Sequence, residues 1–214
     1  MRNFFLTFLA LSFTSYYFPI IILIINLLKF KKTSRFDRWL YVFISYNALI
    51  VCAEQFFLYG NIQSFNPIYK VQTIVDFFFL FTLLVILLEE IKISCLIFKI
   101  IAYSFIVLSV VDTFFIRDLY SNNYFETIFS KFLVIVLAFY TFYQLELQEN
   151  FNKGKKIFVY TLLIYACSTF TISLFEEYFR SKDNDQLYII WSVLFLLTIM
   201  YNLFLTLSLW KLKR

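Results

Sequence analysis

Four acidic residues lie within apolar stretches of this 214-residue chain: Glu54, Asp76, Asp112 and Glu126. A carboxylate at membrane depth is costly, and where it occurs it marks an ion path, a proton relay or a buried pair. If Gly60 and Lys70 mark the ends of two flanking helices, Glu54 and Asp76 each lie six residues inside, roughly 9 Å of helix. Lys131 is the one base near that level, and Asn47 and Asn202 add polar side chains in apolar surroundings. Gathered around one outward-facing cavity, the four acids would draw cations by Coulomb attraction. Pairing of Lys131 with Asp112 or Glu54 would instead give a compensated, packed layer. The sequence leaves both arrangements open.

Other chemistry is excluded by composition. The chain has no His, so His-based catalysis, proton relays and metal sites are absent. Cys52, Cys95 and Cys167 stand singly, without the spacing of a zinc site or a disulfide framework, and are expected to be buried small hydrophobes. Two glycines in the whole chain make a phosphate-cradling loop implausible. Glu176, Glu177 and Arg180 look like the E-E-x-x-x-R signature of membrane CAAX-type proteases, but the spacing is one residue short and the histidines are missing. A retinal protein would need a Lys in its last span, and 187–210 has none. No enzymatic activity, cofactor or metal is expected.

The elements that must position these residues are membrane helices. At 62% apolar and only 15% charged, the chain falls well below the roughly 25% charge of a globular domain. Apolar runs able to cross about 30 Å of hydrocarbon number seven. They lie at about 4–28, 39–59, 71–88, 93–116, 124–143, 157–175 and 187–210, giving an all-α, polytopic membrane protein with one transmembrane domain over 1–214. The first run is longer than a signal-peptide core and is read as an uncleaved anchor. Its Ser12, Ser15, Pro19 and Asn26 share a helix face suited to protein contact. Thr198, Asn202 and Thr206 form a similar stripe on the seventh run, expected to hydrogen-bond between helices.

Basic residues near span ends stay in the cytoplasm. Of the 19 Lys and Arg, 12 fall on the side of the first, third and fifth loops and the C-terminus, and 5 on the other. Lys99 and Lys131 lie within spans, Lys99 near enough to the inner end to snorkel. The N-terminus is therefore expected outside and the C-terminus inside, in a bacterial inner membrane. Nine of the 14 acids then lie toward the outer side.

The hairpin G-N-I-Q-S-F-N-P-I-Y-K-V-Q-T-I-V-D-F resembles one in a group of small seven-span membrane proteins of Bacteroidota-type genomes, over about residues 47 to 80. There an Asn-rich bend leads through a Tyr into a helix bearing an acid. The resemblance implies architecture more than activity; at the bend, where that group carries a His, this chain has Lys70.

Lys29, Lys31, Lys32 and Arg35, with Lys153, Lys155 and Lys156, form the cytoplasmic basic clusters, expected to contact anionic lipid or a protein partner. Direct nucleic-acid binding is not expected. With no loop much beyond a dozen residues, the chain is expected to lack an effector of its own. The first reading is a membrane sensor or accessory subunit acting through a separate cytoplasmic partner. The others are a cation or proton transporter using the intramembrane carboxylates, and a membrane-perturbing, self-associating effector of a bacterial defence system.

Overall fold

A computed structural model describes residues 10–11, 14–15, 17–22, 24, 34–59, 66–116, 124–148, 151–175 and 184–212, with backbone alone at 54–59, 66–69, 124–125 and 184–188 among others. Among them there is no strand. The helices are α1 (Arg35–Tyr59), α2 (Asn66–Glu90), α3 (Leu96–Val111), a π-helical segment (Asp112–Ile116), α4 (Tyr124–Glu146), α5 (Lys153–Leu174) and α6 (Asn184–Leu212). Among the described residues, four helices are long and apolar enough to cross a membrane, over Lys70–Glu90, Glu126–Glu146, Lys153–Leu174 and Ile189–Ser208. The chain is a helical membrane protein. Leu108, at 68% exposed, and Phe115, at 82%, leave apolar surface that hydrocarbon, not water, would cover.

The chain packs as two compact units, Lys32–Gln148 and Met1–Lys31 with Glu149–Arg214. In the first, α2 is central and packs against α1, α3 and α4. Its consecutive residues Leu83 to Leu88 are all at most 5% exposed, so side chains all round this part of the helix are buried. Local chemistry sets its neighbours' ends. Ser34 and Asp37 exchange side chain-to-backbone hydrogen bonds, each 3.1 Å, in a capping box that starts α1 and fixes where Arg35 leaves the helix. Pro67 occupies the first turn of α2, where its missing N–H costs no bond.

The far end of α2 closes in a Schellman motif. Lys92 N–H donates to the Glu89 carbonyl at 3.0 Å and Ile93 N–H to the Leu88 carbonyl at 3.0 Å. Lys92 adopts φ 62°, a left-handed conformation that glycine normally supplies. This turn reverses the chain within five residues, bringing α3 back antiparallel along α2.

In the second unit α5 and α6 pack antiparallel. Asn152 caps α5, accepting from Gly154 N–H at 2.8 Å and Lys155 N–H at 3.4 Å. Ser208 donates to the Gly154 carbonyl at 2.7 Å, and Tyr165 stacks on Tyr201 with centroids 4.2 Å apart. Ser15, Pro19 and Ile22 are buried on one face of the helical residues at 10–24, as the stripe on the first run implied. Ser12 and Asn26 lie outside the described residues.

Candidate functional site

Three of the four sequence-selected acids fall on neighbouring elements of the first unit. Phe77 of α2 meets Phe105 of α3 at 4.7 Å, and Phe105 meets Phe129 of α4 at 5.6 Å, which sets the relative heights of the three helices. Asp76 is beside Phe77, and Glu126 is one turn before Phe129. Asp112 is seven residues beyond Phe105, about 10 Å along the axis at 1.5 Å per residue. Because α3 runs antiparallel to α2, Lys70, seven residues before Phe77, lies at a similar height. Lys70 is 2% exposed and Glu126 7%; Ser109 and Thr113, which flank Asp112 in the sequence, and Ser130, one turn after Glu126, are also buried. The result is a polar band roughly 9 Å deep along the helix axis, with Asp112 level with Lys70 and with Asp76 and Glu126 deeper. Asp76 Oδ1, Asp112 Oδ2 and Glu126 Oε2 are buried oxygens, and each of these residues is engaged in a polar or electrostatic interaction, as are Lys70 and Lys131.

The sequence reading used Lys70 only as a helix-end marker; the structure places it inside. The cue was available: a lone base one and a half turns before Asp76 on a strongly apolar helix. Asn47 is half-buried on α1. Glu54 is on the same helix, but its side chain lies outside the described residues. The π-helical turn opening at Asp112 was not foreseen. Such turns insert a residue into the helix and recur at functional positions.

Asn202 belongs to the other compact unit. It is buried, and its Nδ2 donates to the Thr198 carbonyl at 2.9 Å. Thr198 donates to the Leu194 carbonyl at 2.9 Å and Thr206 to the Asn202 carbonyl at 3.0 Å. The expected interhelical bonding from this stripe is thus corrected: a carbonyl one turn back is within reach of each short side chain and satisfies it inside its own helix. Among the cysteines, Cys95 is buried, Cys167 intermediate and Cys52 exposed, so burial of all three does not hold.

A second charged cluster sits at the opposite end of α2. Arg35 Nη1 lies 3.0 Å from Glu89 Oε2, and Lys99 Nζ lies 2.5 Å from Glu89 Oε1. One carboxylate therefore bridges the start of α1 to α3, using both oxygens. Lys99, whose place near the inner end suggests a snorkelling side chain, is part of this bridge. Below it opens a cavity of about 150 Å³, walled by Phe78, Phe81, Thr82, Val85 and Ile86 of α2 and Ala102, Tyr103 and Ile106 of α3. Trp39 of α1 touches this wall, its ring 6.0 Å from Phe78.

Of the remaining basic candidates, Lys153 is exposed and Lys155 and Lys156 are half-buried in the first turn of α5. Lys155 Nζ lies 5.8 Å from the Phe151 ring centroid, a cation–π contact. Lys29, Lys31 and Lys32 lie outside the described residues. Among the described residues no three His, Cys, Asp or Glu are grouped to hold a metal ion. Comparison with protein-family models, curated proteins and solved structures found no match to the chain.

Proposed function

We propose that the chain is a multi-pass sensor or accessory subunit of a bacterial inner membrane, working through a cytoplasmic protein partner. In this reading it has seven spans, an external N-terminus and a cytoplasmic C-terminus. The basic bias of the loops on the Arg35 and Lys153 side supports that orientation.

The observation that carries the choice is the buried aliphatic segment of α2 between the two charged clusters. Leu83, Leu84, Val85, Ile86, Leu87 and Leu88 lie between the Asp76 and Glu89 levels, each at most 5% exposed. A proton or cation path needs polar side chains or water at every level it crosses. Along α2 the layer holding Lys70, Asp76 and Glu126 is separated from the Glu89 cluster by enclosed aliphatic side chains. This favours a packed anchor whose charged inner rim presents a surface over a conduit through this unit.

The test has two arms. In reconstituted vesicles, wild type and the Glu126→Gln variant should show the same background proton and cation leak; a leak specific to the wild type that Glu126→Gln abolishes would replace this reading with transport. In native membranes, a partner captured with the wild type should be lost from the Lys153→Glu/Lys156→Glu variant while the helical bundle keeps its thermal stability.

A further inference from the structure

The cavity next to Glu89 is charged at one end only. From Glu89 to Phe78 is eleven residues of α2, about 16 Å of helix, and beyond the rim its walls are apolar apart from Thr82 and the Tyr103 hydroxyl. At the rim, both Glu89 oxygens are already engaged, so the carboxylate offers little to a visiting cation. The cations keep capacity: a guanidinium carries five N–H donors and an ammonium three. Their side chains are 61% and 39% exposed, so those donors remain reachable, and the cluster of two cations and one carboxylate has net charge +1.

A soluble anion would use the rim and leave the walls without a partner; an apolar solute would do the reverse. An anionic amphiphile uses both. The volume of about 150 Å³ is below the roughly 300–1,000 Å³ of pockets that enclose a whole ligand, and fits a length of chain that is covered by protein on one side only. Exposed Ile100 and Val107 on α3 continue the apolar surface beside the groove. Anionic lipids of the cytoplasmic leaflet are drawn to basic side chains at this depth.

We propose that Arg35 and Lys99 bind the phosphate of one anionic phospholipid, whose acyl chain lies in the groove between α2 and α3. Glu89 bridges the two cations and offsets one of their two charges, and is not itself a lipid contact. The inference rests on membrane insertion, on the proposed orientation that puts the Glu89 end at the cytoplasmic leaflet and on these contacts, and does not require the proposed protein partner.

Trp39 provides the probe, because it packs on Phe78 at the groove wall. A single-tryptophan protein (Trp191→Phe, Trp210→Phe) is reconstituted in phosphatidylcholine vesicles containing increasing brominated phosphatidylglycerol or, separately, brominated phosphatidylcholine. Quenching by the anionic lipid should saturate at a mole fraction at least severalfold lower than quenching by the zwitterionic one. Arg35→Gln/Lys99→Gln should erase that difference. Glu89→Gln, which breaks the same ion pairs but keeps both cations, should preserve or sharpen it. Equal quenching by the two lipids, or loss of preference in Glu89→Gln as well, would overturn the proposal. So would displacement of the brominated lipid by millimolar inorganic phosphate, which would identify a simple anion site.

Discussion

Arg35 and Glu89 are 54 residues apart in the chain, and their side chains meet at 3.0 Å. The contact joins the capped start of α1 to the closing turn of α2, while Lys99 takes the other oxygen of the same carboxylate. Charged groups this exposed are well screened, and a pair of this kind contributes about 0.2–1 kcal/mol. Glu89→Gln should therefore lower stability by about 1 kcal/mol or less. A double-mutant cycle with Arg35→Gln in detergent should give a small positive coupling that vanishes near 1 M salt, where the Debye length is about 3 Å. A coupling that survives high salt would mean that the pair is shielded in a way its exposure does not indicate.

Lys92 offers a gain in stability. Its φ of 62° is unfavourable for a residue with a Cβ, by roughly 1–2 kcal/mol, and glycine removes that cost while adding freedom to the unfolded chain. The net expectation for Lys92→Gly is a stabilisation of up to about 1 kcal/mol, read as a higher midpoint of thermal unfolding. Lys92→Val should move the midpoint the other way, because a β-branched side chain tolerates this conformation poorly.

Asn152 should matter to α5 beyond its size. Its side chain satisfies two otherwise unpaired N–H groups of the first turn, those of Gly154 and Lys155. Asn152→Ala should cost about 1 kcal/mol, whereas Asn152→Asp or Asn152→Ser should retain most of the stability. Hydrogen exchange at Gly154 and Lys155 locates the effect: faster exchange there in Asn152→Ala is expected, with little change near Leu174.

How much of this could be read in advance depended on the kind of signal. Long apolar runs and scarce charge revealed the helices, because an unbroken apolar run satisfies its backbone in hydrocarbon as a helix, whereas barrel strands are short and alternate apolar with polar residues. The turn at Glu89 to Lys92 was visible as a short polar break between apolar segments. What escaped was set by side chains meeting across helices. Lys99 read as a snorkelling base because Glu89 and Arg35 approach it only once α1, α2 and α3 are packed. Lys70 read as a boundary because its burial depends on what stands beside α2 at that height. Asn202 read as an interhelical group because the sequence does not say whether a carbonyl of its own helix will satisfy it. Helix rise from the Phe77–Phe105–Phe129 contacts puts Asp76 and Glu126 near one height and Asp112 roughly 9 Å from Asp76, level with Lys70.

The helices α5 and α6 are coupled where Ser208, fully buried, donates at 2.7 Å to the carbonyl of Gly154. A side chain-to-backbone bond across a helix pair requires the backbones to approach closely, which the missing Cβ at Gly154 allows. Two variants separate the bond from the approach. Ser208→Ala removes the hydrogen bond and leaves the space, and should cost about 0.5–1.5 kcal/mol. Gly154→Leu inserts a side chain at a buried position, and should cost about 1–3 kcal/mol by overpacking, with Gly154→Ala between it and wild type. Reversible unfolding in mixed detergent micelles measures all three. The Tyr165–Tyr201 stack, at 4.2 Å, reports the same approach spectroscopically. Its near-ultraviolet dichroism should weaken in Gly154→Leu and persist in Ser208→Ala. If Gly154→Leu matches wild type in both stability and dichroism, the helices do not meet at this point.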